Sequence, residues 1–171
     1  CHGFFLPSRP VTLTHDFLMG RTELSRTAWA SVMGSDPSTD DTCSGDCPVQ
    51  TVTWHDAAAF TNALSTAAGL PACYACSGTT GAHSCAPLWA PGGALSSPYA
   101  CAGYRLPTGA EYEFAARAGV EEPWPGHATD ADAVARTLSN GDTRTWSAGS
   151  LAPNAWGLVD LGGNVWEWID D

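Results

Sequence analysis

Apolar residues recur at helical spacing in three short stretches of the chain, and polar connections separate these stretches. In the first stretch, Ser25 can cap a helix that ends at Gly34. The apolar face of this helix is formed by Trp29, Val32 and Met33. Upstream, apolar and polar residues alternate over residues 10–19, which predicts a strand that leads into the helix.

The second stretch starts with a short predicted strand over residues 48–53. Thr53 then caps a helix, and Asp56 stands three residues later, where its carboxylate can complete a capping box. The helix shows apolar residues at Ala57, Phe60, Leu64 and Ala67 and ends at residues 69–71, Gly-Leu-Pro. His55 lies in the first turn, and we interpret it as a surface residue rather than a ligand.

The third stretch is a capped helix that follows Pro107. Thr108 is its predicted cap, Glu111 completes a second capping box, and Gly119 is the predicted left-handed stop. Its apolar face consists of Tyr112, Ala115 and Ala116, with Phe114 at the flank. Residues 128–135 lack periodicity and are interpreted as a polar connection.

Near the end of the sequence, two glycines and an asparagine force an unusual backbone path over residues 162–164. Val165, Trp166 and Trp168 follow and place a large apolar load on a predicted strand. We therefore expect both tryptophans to be buried.

Seven cysteines indicate an oxidising compartment. Cys43 and Cys47 bracket the end of a polar loop and are expected to form a local disulfide. Residues 72–102 form an insertion whose four cysteines are Cys73, Cys76, Cys85 and Cys101. Two disulfides of undetermined connectivity explain these four, and the alternative is a zinc knuckle, in which His83 could also be a ligand. Cys1 is expected to be unpaired within the chain.

Composition restricts the functions that the chain can perform. Its 171 residues suit one domain, and eight tryptophans argue against disorder. With seven arginines, no lysine and a net charge of −11, no basic patch can form, so nucleic acid is a poor partner. No apolar run reaches the length of a membrane span, and together with the cysteines this predicts an extracytoplasmic protein.

Three segments, in this order, resemble the formylglycine-generating enzymes, also called sulfatase-modifying factors. They are residues 48–60 (PVQTVTWHDAAAF), 104–119 (YRLPTGAEYEFAARAG) and 154–168 (NAWGLVDLGGNVWEW), and residues 11–33 resemble the family's first strand and helix. The resemblance implies an irregular α+β fold related to C-type lectins, with short helices around a small twisted antiparallel sheet. Residues 1–171 are then expected to be one C-terminally incomplete domain that carries the Cys-rich insertion.

The resemblance also implies a structural calcium ion at the turn that precedes the tryptophans. Carried over by position, its ligands are the side chains of Asp160 and Glu167 and the carbonyls of Gly163 and Val165. All four supply oxygen atoms, which calcium prefers. The alternative is that Glu167 pairs with an arginine. A second calcium site of the family would begin near Asn140 and Gly141.

The catalytic residues of the family do not carry over. Active members bind copper with a cysteine pair that follows the GNVWEW motif, whereas this sequence ends at Asp171, and none of its cysteines holds an equivalent place. We therefore assign no catalytic residue and interpret the chain as a calcium-stabilised scaffold or binding module with a protein or peptide partner. The alternative is the first part of a copper- and oxygen-dependent enzyme that oxidises a cysteine of a sulfatase-like partner to formylglycine. A sulfoxide synthase or a sugar-binding lectin is disfavoured, since their motifs are missing.

Overall fold

The computed structural model describes residues 10–40, 42–120, 124, 130–137, 139–141 and 144–171. Its helices are α1 (Arg26–Met33), α2 (Trp54–Ala67), α3 (Gly109–Arg117) and the single turn α4 (Ala131–Val134), with a short 3₁₀ turn at Pro98–Ala100. Its strands are β1 (Tyr74–Ser77) and β2 (Ser84–Pro87). No helix in this described part of the chain has the length and hydropathy needed to cross a bilayer.

The three predicted helix starts are confirmed. The side chains of Ser25, Thr53 and Thr108 each accept a hydrogen bond from the backbone amide three residues later, and both predicted capping boxes form. α1 ends at Gly34 with φ 80°, as predicted. After α3 the backbone is left-handed at Ala118, with φ 46°, and also at the predicted stop Gly119, with φ 82°. Because capping depends on residues within one turn, the local sequence is sufficient to predict it.

The sheet lies where no strand was expected. β1 and β2 form an antiparallel hairpin inside the Cys-rich insertion, with Cys76 directly opposite Cys85. The strands predicted over residues 10–19, 48–53 and 165–168 are wrong, because none of these segments pairs with another strand among the described residues, apart from an isolated bridge between Ser25 and Pro48. Alternating apolar and polar residues indicate an extended segment with one buried side. They do not indicate whether a second strand lies beside it and forms backbone hydrogen bonds with it. The segment 128–135 was predicted to be a polar connection, but it contains the helical turn α4, whose N-cap residue is Asp130.

The predicted disulfides are confirmed, and the structure assigns their connectivity. Cys43 pairs with Cys47, and the insertion contains the pairs Cys73–Cys101 and Cys76–Cys85. The four insertion cysteines are therefore bonded to each other rather than arranged as a zinc knuckle. The predicted unpaired Cys1 lies outside the described residues.

The core lies between α1, α2 and the hairpin. Trp29 of α1 is 1% exposed and stacks on Phe60 of α2, with ring centroids 5.0 Å apart. On the other side of α2, Ala58 packs with Cys73 and Tyr74 of the hairpin. The fold therefore relies on a small apolar core that the disulfides extend into the insertion.

The expected burial of the C-terminal tryptophans is wrong. Trp166 is 100% exposed and Trp168 is 48% exposed. The extended segment around them is held from one side only, by contacts such as Trp54 Nε1 to the Ile169 carbonyl (2.9 Å) and the Asp170 amide to the Pro107 carbonyl (2.9 Å). Within the described part of the chain, no helix or strand covers the outer side of this segment.

Candidate functional site

A tight backbone turn over residues 160–165 forms the centre of the predicted calcium site. Asp160, Gly163 and Asn164 all have positive φ, at 62°, 96° and 58°. A side chain at Gly163 would collide with the carbonyl of Arg136, which accepts a hydrogen bond from the Asn164 amide (2.9 Å). The turn therefore requires glycine at position 163. Asp160 before it and Asn164 after it also adopt left-handed backbone conformations, which are uncommon for residues other than glycine.

Two buried carboxylates lie against this turn. Asp160 is 3% exposed and accepts a hydrogen bond from the Gly149 amide. Glu23, which precedes α1, is 7% exposed and accepts hydrogen bonds from Asn164 Nδ2 (2.8 Å) and the Val165 amide (3.4 Å). Burial raises the pKa of Glu23 to about 8; the Asn164 hydrogen bond opposes the shift, and the neighbouring acidic groups add to it.

Glu167 brings a third carboxylate to the same region. Its Oε1 accepts a hydrogen bond from the Tyr112 hydroxyl (2.8 Å), which also lies 3.2 Å from the Leu161 carbonyl. Although Glu167 as a whole residue is exposed, desolvation of its carboxylate raises its pKa, and the charge of Asp160 adds to the shift. None of the ion pairs formed by the described residues involves Glu23, Asp160 or Glu167, so the predicted alternative of a Glu167–arginine pair is not formed there.

The predicted ligand residues lie within or next to this turn, and Glu23 contacts the same turn through Asn164 and Val165. Within the described residues, no cluster of three or more His, Cys, Asp or Glu side chains is close enough to hold a metal ion. The predicted ligand set contains only two side chains, and its other two donors are the carbonyls of Gly163 and Val165. No described residue donates a hydrogen bond to either carbonyl. The donors are all oxygen atoms, and the negative charge at the turn has no cationic partner, so the chemistry fits calcium.

The residues predicted for a second calcium site are engaged in a local turn. The Asn140 side chain accepts from the Thr137 amide (2.8 Å) and donates to Asp132 (2.8 Å), while the Gly141 carbonyl accepts from Trp146 Nε1 (3.0 Å). Gly141 borders residues 142 and 143, which lie outside the described part of the chain, and the second site stays a prediction.

Sequence reasoning missed Glu23, which lies about 140 residues from the turn that it contacts. The local sequence shows only that Glu23 stands before Leu24 and the helix cap Ser25. Because acidic side chains are usually exposed, nothing at this position predicts that Glu23 is buried. Its partner Asn164 could not be inferred from spacing, since the contact depends on tertiary packing.

A wide groove runs beside the turn and has a volume of about 850 Å³. Leu18 and Trp166 lie at its edges and are 103% and 100% exposed, and α2 contributes Phe60 and Leu64 to its lining.

The charge of the groove comes from four acidic side chains of its lining, which are Asp16, Glu23, Glu111 and Glu167. Among the described residues, Arg105 is the one arginine of the lining, and Glu111 neutralises it through two contacts of 2.8 and 2.6 Å. The pKa of about 8 leaves Glu23 largely protonated at neutral pH, so Asp16 and Glu167 carry the negative charge that lies beside the apolar walls of the groove.

Residues 1–171 match the protein family that is described as "Sulfatase-modifying factor enzyme 1-like domain". The chain belongs to this family. Chaperone protein LppX of Paenibacillus barcinonensis is 31% identical over 187 residues, which cover 92% of this chain and 62% of LppX. The formylglycine-generating enzyme of Thermomonospora curvata is 39% identical over 84 residues, which cover 41% of this chain and 28% of the enzyme.

Two solved structures of this kind share the fold. Treponema denticola variable protein 1 is 31% identical with a TM-score of 0.66, and the match covers 86% of this chain and 59% of that protein. CarF is 26% identical with a TM-score of 0.64, covering 88% of this chain and 67% of CarF. The predicted fold class, an irregular α+β domain with short helices and a small antiparallel sheet, is therefore confirmed. The chain spans 62% of LppX and 28% of the Thermomonospora enzyme.

Proposed function

We propose that this sulfatase-modifying-factor-like domain is an extracytoplasmic module that binds an extended polypeptide segment of a partner protein. The groove carries the proposal, because a folded domain rarely leaves large apolar side chains such as Leu18 and Trp166 fully exposed at the edges of one cavity. Its unpaired acidic lining favours a segment that combines apolar side chains with arginine or lysine. Three disulfides support a location outside the cytoplasm.

The comparisons support a polypeptide partner. The relative that aligns with 92% of this chain is named as a chaperone protein, a class whose partners are other polypeptides. The formylglycine-generating enzymes also belong to the family but align with only 41% of this chain. A binding role therefore draws on the larger shared region.

Fluorescence titration with two synthetic peptides tests the groove. One peptide alternates leucine and arginine, and the second has glutamate in place of arginine. We expect the basic peptide to change the tryptophan emission with saturation, and Trp166→Ala to weaken its binding at least about tenfold, as expected for an aromatic anchor. Trp156→Phe is the matched control, because Trp156 is 50% exposed and lies outside the groove lining. Equal binding of both peptides, or unchanged binding by Trp166→Ala, would contradict the proposal.

We further propose that calcium stabilises the turn at the edge of this groove. Asp160, Glu167 and the carbonyls of Gly163 and Val165 would hold the ion, and the bonds that Asn164 and Val165 donate to Glu23 would fix the direction of those carbonyls. The ion would supply positive charge to a site that otherwise gathers carboxylates without a cation. It would bind the folded state alone and would therefore stabilise the domain according to RT ln(1 + [L]/Kd).

Thermal melts with calcium and with excess chelator test this site. We expect calcium to raise Tm and Glu167→Gln to reduce the response. Glu113→Gln is the control, since Glu113 is exposed on α3 and pairs with Arg117 away from the turn. Identical melts in calcium and chelator, with no calcium found by elemental analysis, would refute the proposal and leave the peptide titration unaffected as a separate test.

The second candidate is an enzymatic role, favoured by the 33–39% identity to formylglycine-generating enzymes over 84 residues. Copper(I) chemistry of that kind needs a pair of thiolates. All six cysteines among the described residues are joined in disulfides, so none of them is a free thiolate in this structure. Incubation of the longest available polypeptide with copper, oxygen and a cysteine-containing peptide, followed by mass spectrometry for an aldehyde product, distinguishes the two candidates.

A further inference from the structure

The Cys76–Cys85 disulfide links the two strands of the hairpin at directly opposed positions. Cys76 is exposed, whereas Cys85 is only 7% exposed and belongs to the core cluster. Among the six cysteines of the described residues, Cys76 alone is exposed. In the other two disulfides, a half-buried cysteine is bonded to a partner with 0% exposure, Cys47 or Cys73. Because Cys76 is the one exposed residue among these six, its sulfur is the one that we expect an external thiol to reach first.

Several hydrogen bonds attach the hairpin to α2 independently of the bond between Cys76 and Cys85, and Asn62 Nδ2 also contacts Cys76 Sγ (3.5 Å). The Asn62 side chain accepts from the amides of Cys73 (2.9 Å) and Tyr74 (3.1 Å) and donates to the Tyr74 carbonyl (2.8 Å), which holds β1. At the other end, the Asp56 carboxylate accepts from the Gly81 amide (3.0 Å) and contacts His83 Nδ1 (2.8 Å), which holds the turn. The two sulfur atoms should therefore stay close to each other when the bond between them opens.

The surroundings of Cys85 also suit a free thiol. Its Sγ lies 3.3 Å from the carbonyl oxygen of His55, and its backbone amide donates to His55 Nδ1 (3.2 Å). A thiol at this place can donate a hydrogen bond to the His55 carbonyl. Reduction would therefore leave no new polar group at Cys85 without a partner.

We propose that Cys76–Cys85 is an exchangeable disulfide, in which an external thiolate attacks Sγ of Cys76 and Cys85 leaves. The new bond joins the external sulfur to Cys76, and the electron pair of the broken bond stays on Cys85, which takes a proton from water. A second external thiol then releases Cys76, so that two thiols are oxidised to one disulfide as the protein disulfide is reduced. Because the hairpin keeps Cys85 nearby, Cys85 can also expel the bound thiol in the reverse direction. The substrate class is a cysteine thiol, either of a small molecule or of a partner polypeptide.

Glutathione at low concentration, added to the native full chain, tests the proposal. Samples are alkylated at intervals, and the modified cysteines are mapped by mass spectrometry, so that the other two disulfides serve as internal controls. We expect Cys76 and Cys85 to become modified at least about tenfold faster than the other four, with the mixed disulfide on Cys76. Simultaneous opening of all three bonds, earlier opening of another bond, or glutathione attached to Cys85 would overturn it.

A second experiment separates exchange from a purely structural role. The double variant Cys76→Ser/Cys85→Ser should keep the native circular dichroism and the hydrogen-exchange protection of β1 and α2, because Asn62 and Asp56 still hold the hairpin. The matched control is Cys73→Ser/Cys101→Ser, which removes the bond anchored at a fully buried cysteine and should lose protection there. Unfolding of the first variant under conditions where the control stays folded would refute the proposal. A partner-derived source of the thiol is distinguished by replacing glutathione with a reduced cysteine peptide of the basic sequence used for the groove.

Discussion

Replacement of Trp29 by alanine should be among the most damaging single changes in the chain. Trp29 is 1% exposed, and its ring lies parallel to Phe60 with an interplanar angle of 8°. Truncation of a buried tryptophan removes apolar contacts and leaves a cavity, with an expected loss of about 3–5 kcal/mol in the free energy of unfolding. Since domains are commonly stable by about 5–15 kcal/mol, this change would remove a large fraction of the total.

A phenylalanine at the same place should be tolerated much better. The indole N–H of Trp29 is buried and has no hydrogen-bond partner among the described residues. Such a group destabilises the folded state by about 1–3 kcal/mol, which Trp29→Phe would regain while it keeps an aromatic ring against Phe60. This gain offsets much of the free energy that is lost because the phenylalanine ring is smaller. We therefore expect the free energy of unfolding to fall by about 1 kcal/mol or less.

The comparison with Trp166 makes the test specific to burial. Trp166 is 100% exposed, so Trp166→Ala should change the free energy of unfolding by no more than about 0.5 kcal/mol. Urea denaturation followed by circular dichroism, with a common m-value, measures all three variants. A Trp166→Ala variant as destabilised as Trp29→Ala, or a Trp29→Phe variant as destabilised as Trp29→Ala, would show that the core has been placed wrongly.

Three further outcomes are expected. Thr108→Ala should destabilise the domain by about 1 kcal/mol in the same urea assay, whereas Thr108→Ser, which keeps a hydroxyl at the α3 cap, should have little effect. Replacement of Cys73 and Cys101 by alanine should lower stability by about 3–4 kcal/mol, more than loss of the bond that spans only four residues, because the larger loop loses more entropy when it is closed. Burial alone would raise the pKa of Asp56, but hydrogen bonds from Thr53, His83 and Gly81 outweigh it and lower the pKa from 3.8 to about 2. The stability contributed by Asp56, at most about 2 kcal/mol, should therefore be present above pH 4 and lost as the pH falls towards 2. Acid titration of unfolding should show this loss in the wild type and not in Asp56→Asn.

The parts of the fold that the sequence predicted are those decided within one turn of helix. Thr53 and Thr108 are capped by partners three residues away, so their geometry depends little on the rest of the chain. The positions of the cysteines at the ends of loops likewise indicated disulfides. The sequence left three possible pairings of the four insertion cysteines, and the register of the hairpin, which places Cys76 opposite Cys85, distinguishes them.

The features that could not be predicted depend on contacts between distant segments. Glu23 reaches Asn164 across about 140 residues, and no local pattern encodes that approach. The hydrophobicity of Trp166 favours burial, but burial needs a second surface, and the described part of the chain supplies none over that segment. The family resemblance assigned four calcium ligands to the segment 160–167, and that assignment stays a prediction, because periodicity and spacing alone carry no information on how such a turn is folded.

The calcium turn and the groove share one short segment, which gives the two proposed sites a physical connection. Val165 and Glu167 belong to the predicted ligand set, Trp166 and Trp168 alternate with them, and all four residues line the groove. Fixing the Val165 carbonyl and the Glu167 carboxylate on an ion would restrict the backbone that carries both indoles, so a peptide in the groove would lose less conformational entropy on binding. Binding free energies coupled in this way are reciprocal, so calcium should change the affinity for the peptide by the same factor as the peptide changes the affinity for calcium. Ordering of the segment favours tighter binding, whereas neutralisation of Glu167 weakens the attraction for a basic peptide. Titrating the basic peptide in calcium and in chelator measures this factor. Equal affinity in both, with calcium shown to bind, would mean that the turn and the groove act independently.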